Sequence, residues 1–168
     1  MCNRGVAHCR EVRMIMSVAD TSQDRIEREI QIDAPIERVF QLVSEPGWFI
    51  GDGDPGKTTT TREGDVFVMN FPPYGRFPIL PVKSDAPHYV SFRGGDDPAR
   101  PLVEGTSTLV EFFLFERDGG TLLRVVESGF AALYPSAERR ASAIEGNVEG
   151  WEIQLAFAKR DAESGRGE

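Results

Sequence analysis

The chain has 168 residues, with 27 acidic against 19 basic side chains and a net charge of −8. A hydrophobic content of 40% is typical of a globular protein and excludes a chain that is disordered throughout. This length supports one hydrophobic core, the acidic balance argues against a general nucleic-acid binder, and no stretch approaches the roughly 20 apolar residues of a membrane span.

Residues 1–24 show no sustained hydrophobic period, which predicts a disordered tail. Its arginines are not followed by the apolar segment of a signal peptide. Both cysteines, Cys2 and Cys9, lie here, and together with His8 they lack the spacing of a closed zinc site. We therefore expect no metal and no disulfide, and a cytoplasmic location.

The first folded segment is predicted to be a strand followed by a helix. Isoleucines alternate with polar residues over 25–32, which is the period of a half-buried strand. Pro35 suits the first turn of a helix. The next apolar residues have helical spacing, at Ile36, Val39, Phe40 and Val43.

Six further strands are predicted from alternating, β-branched and aromatic segments that are bounded by Gly, Pro and Asp. They cover residues 57–62, 66–71, 79–84, 88–93, 106–116 and 121–130. Asp118, Gly119 and Gly120 predict a tight hairpin between the last two strands. The prolines at 72, 73 and 78 predict an irregular connection at a sheet edge.

A long helix is predicted from Ser136, as its N-cap, to Lys159. Its apolar residues recur at steps of three and four, at Ala137, Ala141, Ile144, Val148, Trp151, Leu155 and Ala158. Gly146 and Gly150 lie one turn apart inside it, which indicates either close contact with another element or open space beside the helix. Residues 161–168 are polar and are predicted to form a disordered end.

Three segments carry a resemblance to a known family: EIQIDAPIERVF at 29–40, VESGF at 126–130 and NVEGWEIQL at 147–155. Their order and spacing resemble the START-like (Bet-v-1-like, SRPBCC) superfamily. Within it, the chain is most similar to homologues of the activator of the heat-shock protein 90 ATPase. The resemblance implies one α+β domain over residues 25–160 with a helix-grip fold. In that fold a curved antiparallel sheet of about six or seven strands wraps around a long C-terminal helix, with a cavity between them.

Residues 51–58 match the phosphate-loop pattern G-x-x-x-x-G-K-[ST] letter for letter. That mechanism needs a helix after the loop, so that helical N–H groups face the phosphates. The four threonines after Lys57 favour a strand instead. We therefore interpret the motif as a polar turn that enters a strand, and we expect no nucleotide cofactor.

Glu127 is the candidate polar group of the cavity. It alternates with Leu123 and Val125, so all three are predicted to face the core. The carboxylate could orient a ligand, or a basic neighbour such as Arg93 could hold it structurally. The predicted ligand-binding residues are Trp48, Phe67, Met69, Phe92, Phe112, Glu127, Trp151 and Leu155.

Three functions are consistent with this layout. The first is binding of an apolar or amphipathic small molecule, without a cofactor and with a homodimer as one oligomeric form. The second is a cyclase- or dehydratase-like enzyme in which Glu127 and His88 move protons, aided by Tyr89 or Arg93. The third, implied by the resemblance, is regulation of the heat-shock protein 90 ATPase.

Overall fold

The computed structural model describes residues 24–165. Residues 1–23 of the tail predicted from the sequence, with Cys2, His8 and Cys9, lie outside the described residues. Asp24, the last residue of that predicted tail, is described, and its carbonyl accepts a hydrogen bond from the Gly129 N–H at 3.2 Å. Among the residues described, no helix combines the length and hydropathy needed to span a bilayer.

Seven strands form one antiparallel sheet in the order β1-β7-β6-β5-β4-β3-β2. They are β1 (Arg25–Ile32), β2 (Thr59–Glu63), β3 (Val66–Phe71), β4 (Gly75–Asp85), β5 (Tyr89–Gly94), β6 (Thr108–Arg117) and β7 (Gly120–Ser128). The first strand pairs with the last along its whole length, from Arg25 opposite Ser128 to Ile32 opposite Thr121. The prediction of an α+β helix-grip fold is confirmed.

Three α-helices complete the fold: α1 (Ile36–Val43), α2 (Phe130–Leu133) and α3 (Ala137–Ser164). The Ser136 side chain caps α3 by accepting a hydrogen bond from the Arg139 N–H at 3.4 Å. The helix extends past its predicted end at Lys159, so residues 161–164 are helical and not disordered. Ala162 is buried there, and its carbonyl accepts from Arg38 Nε at 2.7 Å, so tertiary contacts hold the last turn.

The connection after β3 is more regular than the prolines predicted. Tyr74 donates its N–H to the Phe71 carbonyl at 2.8 Å, and β4 begins directly afterwards at Gly75. Pro78 lies within β4 opposite Val68, and its carbonyl accepts from the Gly95 N–H. The sheet accommodates this segment with an irregularity in register between Pro81 and Lys83.

The phosphate-loop pattern forms the predicted polar turn. A single 3-10 turn at Pro55–Lys57 leads into β2, and no helix follows it. The Lys57 ammonium lies 2.7 Å from the Asp52 carboxylate, so its charge is paired inside the loop. This exposed ion pair lowers the pKa of Asp52 and raises the pKa of Lys57.

The core lies between the concave face of the sheet and the helices. α1 contributes Ile36, Val39 and Val43, and α3 contributes apolar side chains from Trp151 onwards. Five aromatic rings form a cluster at the centre with neighbouring centroids 5.3–6.2 Å apart: Trp48, Phe49, Phe92, Phe112 and Trp151. This aromatic cluster fills the middle of the space between sheet and helix, so the interior is only partly hollow.

Candidate ligand cavity

One cavity remains between the sheet, α2 and the first half of α3, with a volume of about 270 Å³. It lies to one side of the aromatic cluster. Its apolar wall consists of Phe49, Ile50, Phe77, Ile79, Val110, Phe130, Leu133 and Trp151. Its polar groups come from Asp96, Thr108, Glu127, Tyr134, Asn147 and Gln154.

Glu127 lies at the end of β7 and is only 6% exposed, facing the core as the alternation predicted. Its Oε1 accepts hydrogen bonds from Asn147 Nδ2 at 3.0 Å and from Trp151 Nε1 at 2.9 Å. Its Oε2 accepts from the Thr108 hydroxyl at 2.7 Å. The carboxylate therefore ties β7 to β6 and α3 while it also lines the cavity, so it has both a structural and a cavity-facing position.

The two glycines of α3 both line the cavity. A Cβ atom built at Gly146 or at Gly150 would meet no other atom within 4 Å. Of the two alternatives that the sequence left open, the structure shows open space beside the helix. Alanine would be the better helix former at both positions, so the missing side chains leave volume at some cost in helix stability.

Tyr134 lies in the link between α2 and α3 and is half-buried. Burial raises the pKa of its phenol, and the negative charges of Asp96 and Glu127 raise it further. Arg139 and Arg100 act in the opposite direction and lower it. The phenol therefore stays neutral well above neutral pH and can both donate and accept a hydrogen bond in the cavity.

Two of the eight predicted ligand-binding residues, Glu127 and Trp151, line the cavity. The other six are not on its wall. Phe92, Phe112, Met69 and Leu155 are buried in the core. Trp48 packs on Phe112 within the aromatic cluster, with ring centroids 5.3 Å apart. Phe67 lies towards the β2 edge, where the Arg62 guanidinium lies 5.2 Å from its ring centroid. Alternation correctly predicted the inward face, but it does not distinguish packed core from cavity wall.

The candidate proton-transfer groups do not meet. His88 precedes β5, with its ring nitrogen 3.2 Å from the Leu114 carbonyl. Along β6, Leu114 is separated by roughly 20 Å of strand from Thr108, the residue that contacts Glu127. Tyr89 donates its hydroxyl to Glu111, and Arg93 approaches Ser107 at 3.5 Å rather than Glu127.

Several residues of the cavity wall carry no signal in the sequence pattern. Phe49 follows α1 in a loop, and Tyr134 lies between two helices, so neither belongs to a periodic segment. Asn147 lies in the NVEGWEIQL segment at 147–155, but a polar residue on a helix does not by itself predict contact with Glu127. Helical spacing does offer a signal, since Asn147 precedes Trp151 by one turn and both side chains reach the same carboxylate oxygen.

Within residues 24–165, no group of three or more His, Cys, Asp or Glu side chains is arranged to hold a metal ion.

Comparison with known proteins identifies the fold. No protein-family model matches the sequence, and no curated protein matches it significantly. Among solved structures, protein Ms6760 from Mycobacterium smegmatis is 20% identical with a TM-score of 0.58, over 82% of this chain and 90% of that chain. The Aha1 dimer from Colwellia psychrerythraea is 17% identical with a TM-score of 0.61, over 85% of this chain and 98% of that chain.

DynU16, described as a protein of the dynemicin biosynthetic locus, is 18% identical with a TM-score of 0.60. The match covers 84% of this chain but only 48% of that chain, so this chain spans about half of DynU16. At these identities the likeness concerns the fold. The seven-stranded sheet, the long final helix and these structural matches together show that the chain has a helix-grip fold, which it shares with these solved structures.

Proposed function

We propose that the protein binds a small, largely apolar aromatic molecule in the cavity beneath α3. The observation that carries this proposal is the pair of helix glycines that face open space above an apolar wall. Interiors are normally close-packed, and a gap of this size forgoes contacts that core side chains would otherwise make. A bound ligand would restore those contacts.

The cavity volume limits the size of the ligand. An apolar cavity of about 150 Å³ is enough to hold benzene, and typical ligand pockets begin at roughly 300 Å³. A volume of about 270 Å³ therefore suits a compound of one or two rings better than a long acyl chain. The cavity volume therefore restricts the class of apolar or amphipathic ligands expected from the sequence to compounds of about this size.

The enzymatic alternative receives no support from the geometry. His88 contacts Leu114, about six residues along β6 from the Thr108 that bonds to Glu127, and the Tyr89 hydroxyl bonds to Glu111 on the opposite face of the sheet. A homodimer, a role in regulating a chaperone ATPase and a cytoplasmic location stay predictions from the sequence.

The proposal is tested by thermal unfolding with indole and 2-naphthol as probes. We expect both compounds to raise the Tm of the wild-type protein in a concentration-dependent way. Gly150→Leu places a side chain in the open space and should abolish that shift. Gly150→Ala is the matched control, since its small side chain should leave most of the shift in place.

Equal shifts in the wild-type protein and in Gly150→Leu would contradict the proposal, because the probes would then bind elsewhere. The proposal would also be wrong if neither probe shifted the Tm of the wild-type protein at millimolar concentration.

A further inference from the structure

The charged side chains on the cavity wall are all acidic. Its wall carries two carboxylates, Asp96 and Glu127, and none of the described residues that line it is Lys, Arg or His. Neither carboxylate forms a salt bridge with any residue of the part of the chain that the structure describes. A ligand in this cavity therefore faces acidic side chains and no basic side chain on the surrounding wall.

Glu127 in particular is a buried carboxylate whose partners are all neutral. Acidic side chains are rarely buried without a cationic partner. A carboxylate offers about four acceptor positions, and Asn147, Trp151 and Thr108 use three of them. Because two of these bonds are to Oε1, the remaining position is on Oε2. A donor on the ligand can use that position and supply the missing positive charge.

The surrounding walls suit a cation as well as an apolar ring. Five aromatic side chains line the cavity: Phe49, Phe77, Phe130, Tyr134 and Trp151. The faces of such rings attract ammonium groups, and the attraction strengthens when water is excluded. Both carboxylates raise the pKa of the Tyr134 phenol, which is itself part of the cavity wall. Arg100 and Arg139 oppose that effect at Tyr134, but neither lies on the cavity wall.

Resting on the proposed function, we infer that the preferred ligand is an organic cation, an aromatic ring bearing a protonated amine that bonds to Glu127. Ligands of the same size that carry a carboxylate are disfavoured, because their negative charge would lose its water beside Glu127 and Asp96.

Three indoles that differ in charge test this inference: tryptamine, tryptophol and indole-3-acetate. In isothermal titration calorimetry at pH 7, we expect tryptamine to bind about tenfold more tightly than the neutral tryptophol. Indole-3-acetate should bind at least about tenfold more weakly than tryptophol. High salt should reduce the preference for tryptamine.

Glu127→Gln removes the charge but keeps an oxygen acceptor for Trp151 and Asn147. It should remove the preference, so that tryptamine and tryptophol bind with about equal affinity. The matched control is Glu111→Gln, which removes a carboxylate from the opposite face of the sheet, where Glu111 accepts from the Tyr89 hydroxyl. This control should retain the full preference.

Equal binding of all three indoles would overturn the inference on charge and leave the proposed function standing. Failure of all three indoles, and of indole itself, to bind would overturn the proposed function. Should Glu127→Gln not fold, Asp96→Asn at the exposed rim serves instead. We expect Asp96→Asn to weaken tryptamine binding about threefold and not to weaken tryptophol binding. An unchanged ratio of the two affinities would count against the inference.

Discussion

At the scale of single residues, Glu127 determines how the last strand and the last helix meet. Its carboxylate accepts hydrogen bonds from β6 and α3 while its own backbone belongs to β7. Hydrogen bonds to a charged acceptor in a buried site are stronger than neutral ones. One side chain therefore fixes the position of Trp151, which in turn packs against the aromatic cluster.

Removing that carboxylate should lower stability markedly. We expect Glu127→Ala to reduce the free energy of unfolding by about 2–4 kcal/mol, because Trp151 Nε1 and the Thr108 hydroxyl would be left buried without an acceptor. Urea unfolding followed by tryptophan fluorescence measures this change. Glu127→Gln retains an acceptor and should lose less than half as much, and equal losses in the two variants would contradict this account.

The Tyr134 phenol should ionise at a higher pH than an ordinary tyrosine. Burial and two nearby carboxylates raise its pKa in the folded protein. Since the folded-state pKa is raised, its contribution to stability is fully present below pH 10 and is lost as the pH rises through the folded-state pKa. Absorbance at 295 nm follows the ionisation, and Tyr134→Phe should remove a component that titrates above pH 10. If this variant removed an ordinary component near pH 10 instead, the assigned environment would be wrong.

At the scale of elements, α3 has two dissimilar halves. All of its buried residues lie at or after Trp151: Trp151, Gln154, Leu155, Ala158 and Ala162. The first half carries both cavity-lining glycines and contributes only half-buried apolar side chains, Ile144 and Val148, to the core. One continuous helix thus serves as core in its second half and as cavity wall in its first.

Glycine-to-alanine substitutions should distinguish open space from packed space. Gly150→Ala should raise the free energy of unfolding by about 0.5–1 kcal/mol, because alanine favours the helix and its Cβ meets nothing within 4 Å. Gly120→Ala should be destabilising, since its Cβ would lie against the Ile32 carbonyl of the neighbouring strand. Chemical denaturation of both variants tests the contrast. A destabilising Gly150→Ala would mean that the space above the cavity is occupied.

At the scale of the whole molecule, the sequence predicted the fold better than the site. The seven strands and the long final helix follow from period-two and helical hydrophobic patterns, and the antiparallel sheet follows from the family resemblance. Those periods also predicted the inward direction of Glu127 and Trp151. They assign a face but not a depth, so Phe92 and Phe112 were predicted as cavity wall although they are core.

The unpredicted part of the site comes from segments without a period. Phe49 enters the core from the loop after α1, and its ring lies 5.3 Å from that of Trp151. Because Phe49 divides the interior, it sets how much of the space between sheet and helix stays open. Sequence reasoning cannot place such a residue, since long-range packing and not local spacing decides where a loop side chain lies.

The last turns of α3 are fastened to the opposite end of the molecule from the cavity. Lys159 Nζ donates to the Gln31 carbonyl at 3.0 Å, and Arg38 Nε donates to the Ala162 carbonyl at 2.7 Å. Local opening starts where burial is least, so amide hydrogen–deuterium exchange should be faster over residues 141–149 than over 155–163. Uniform exchange along the helix would contradict this order. If the first half of α3 exchanges faster, a ligand would enter by transient opening of that half alone. Its residence time would then follow the opening rate of residues 141–149.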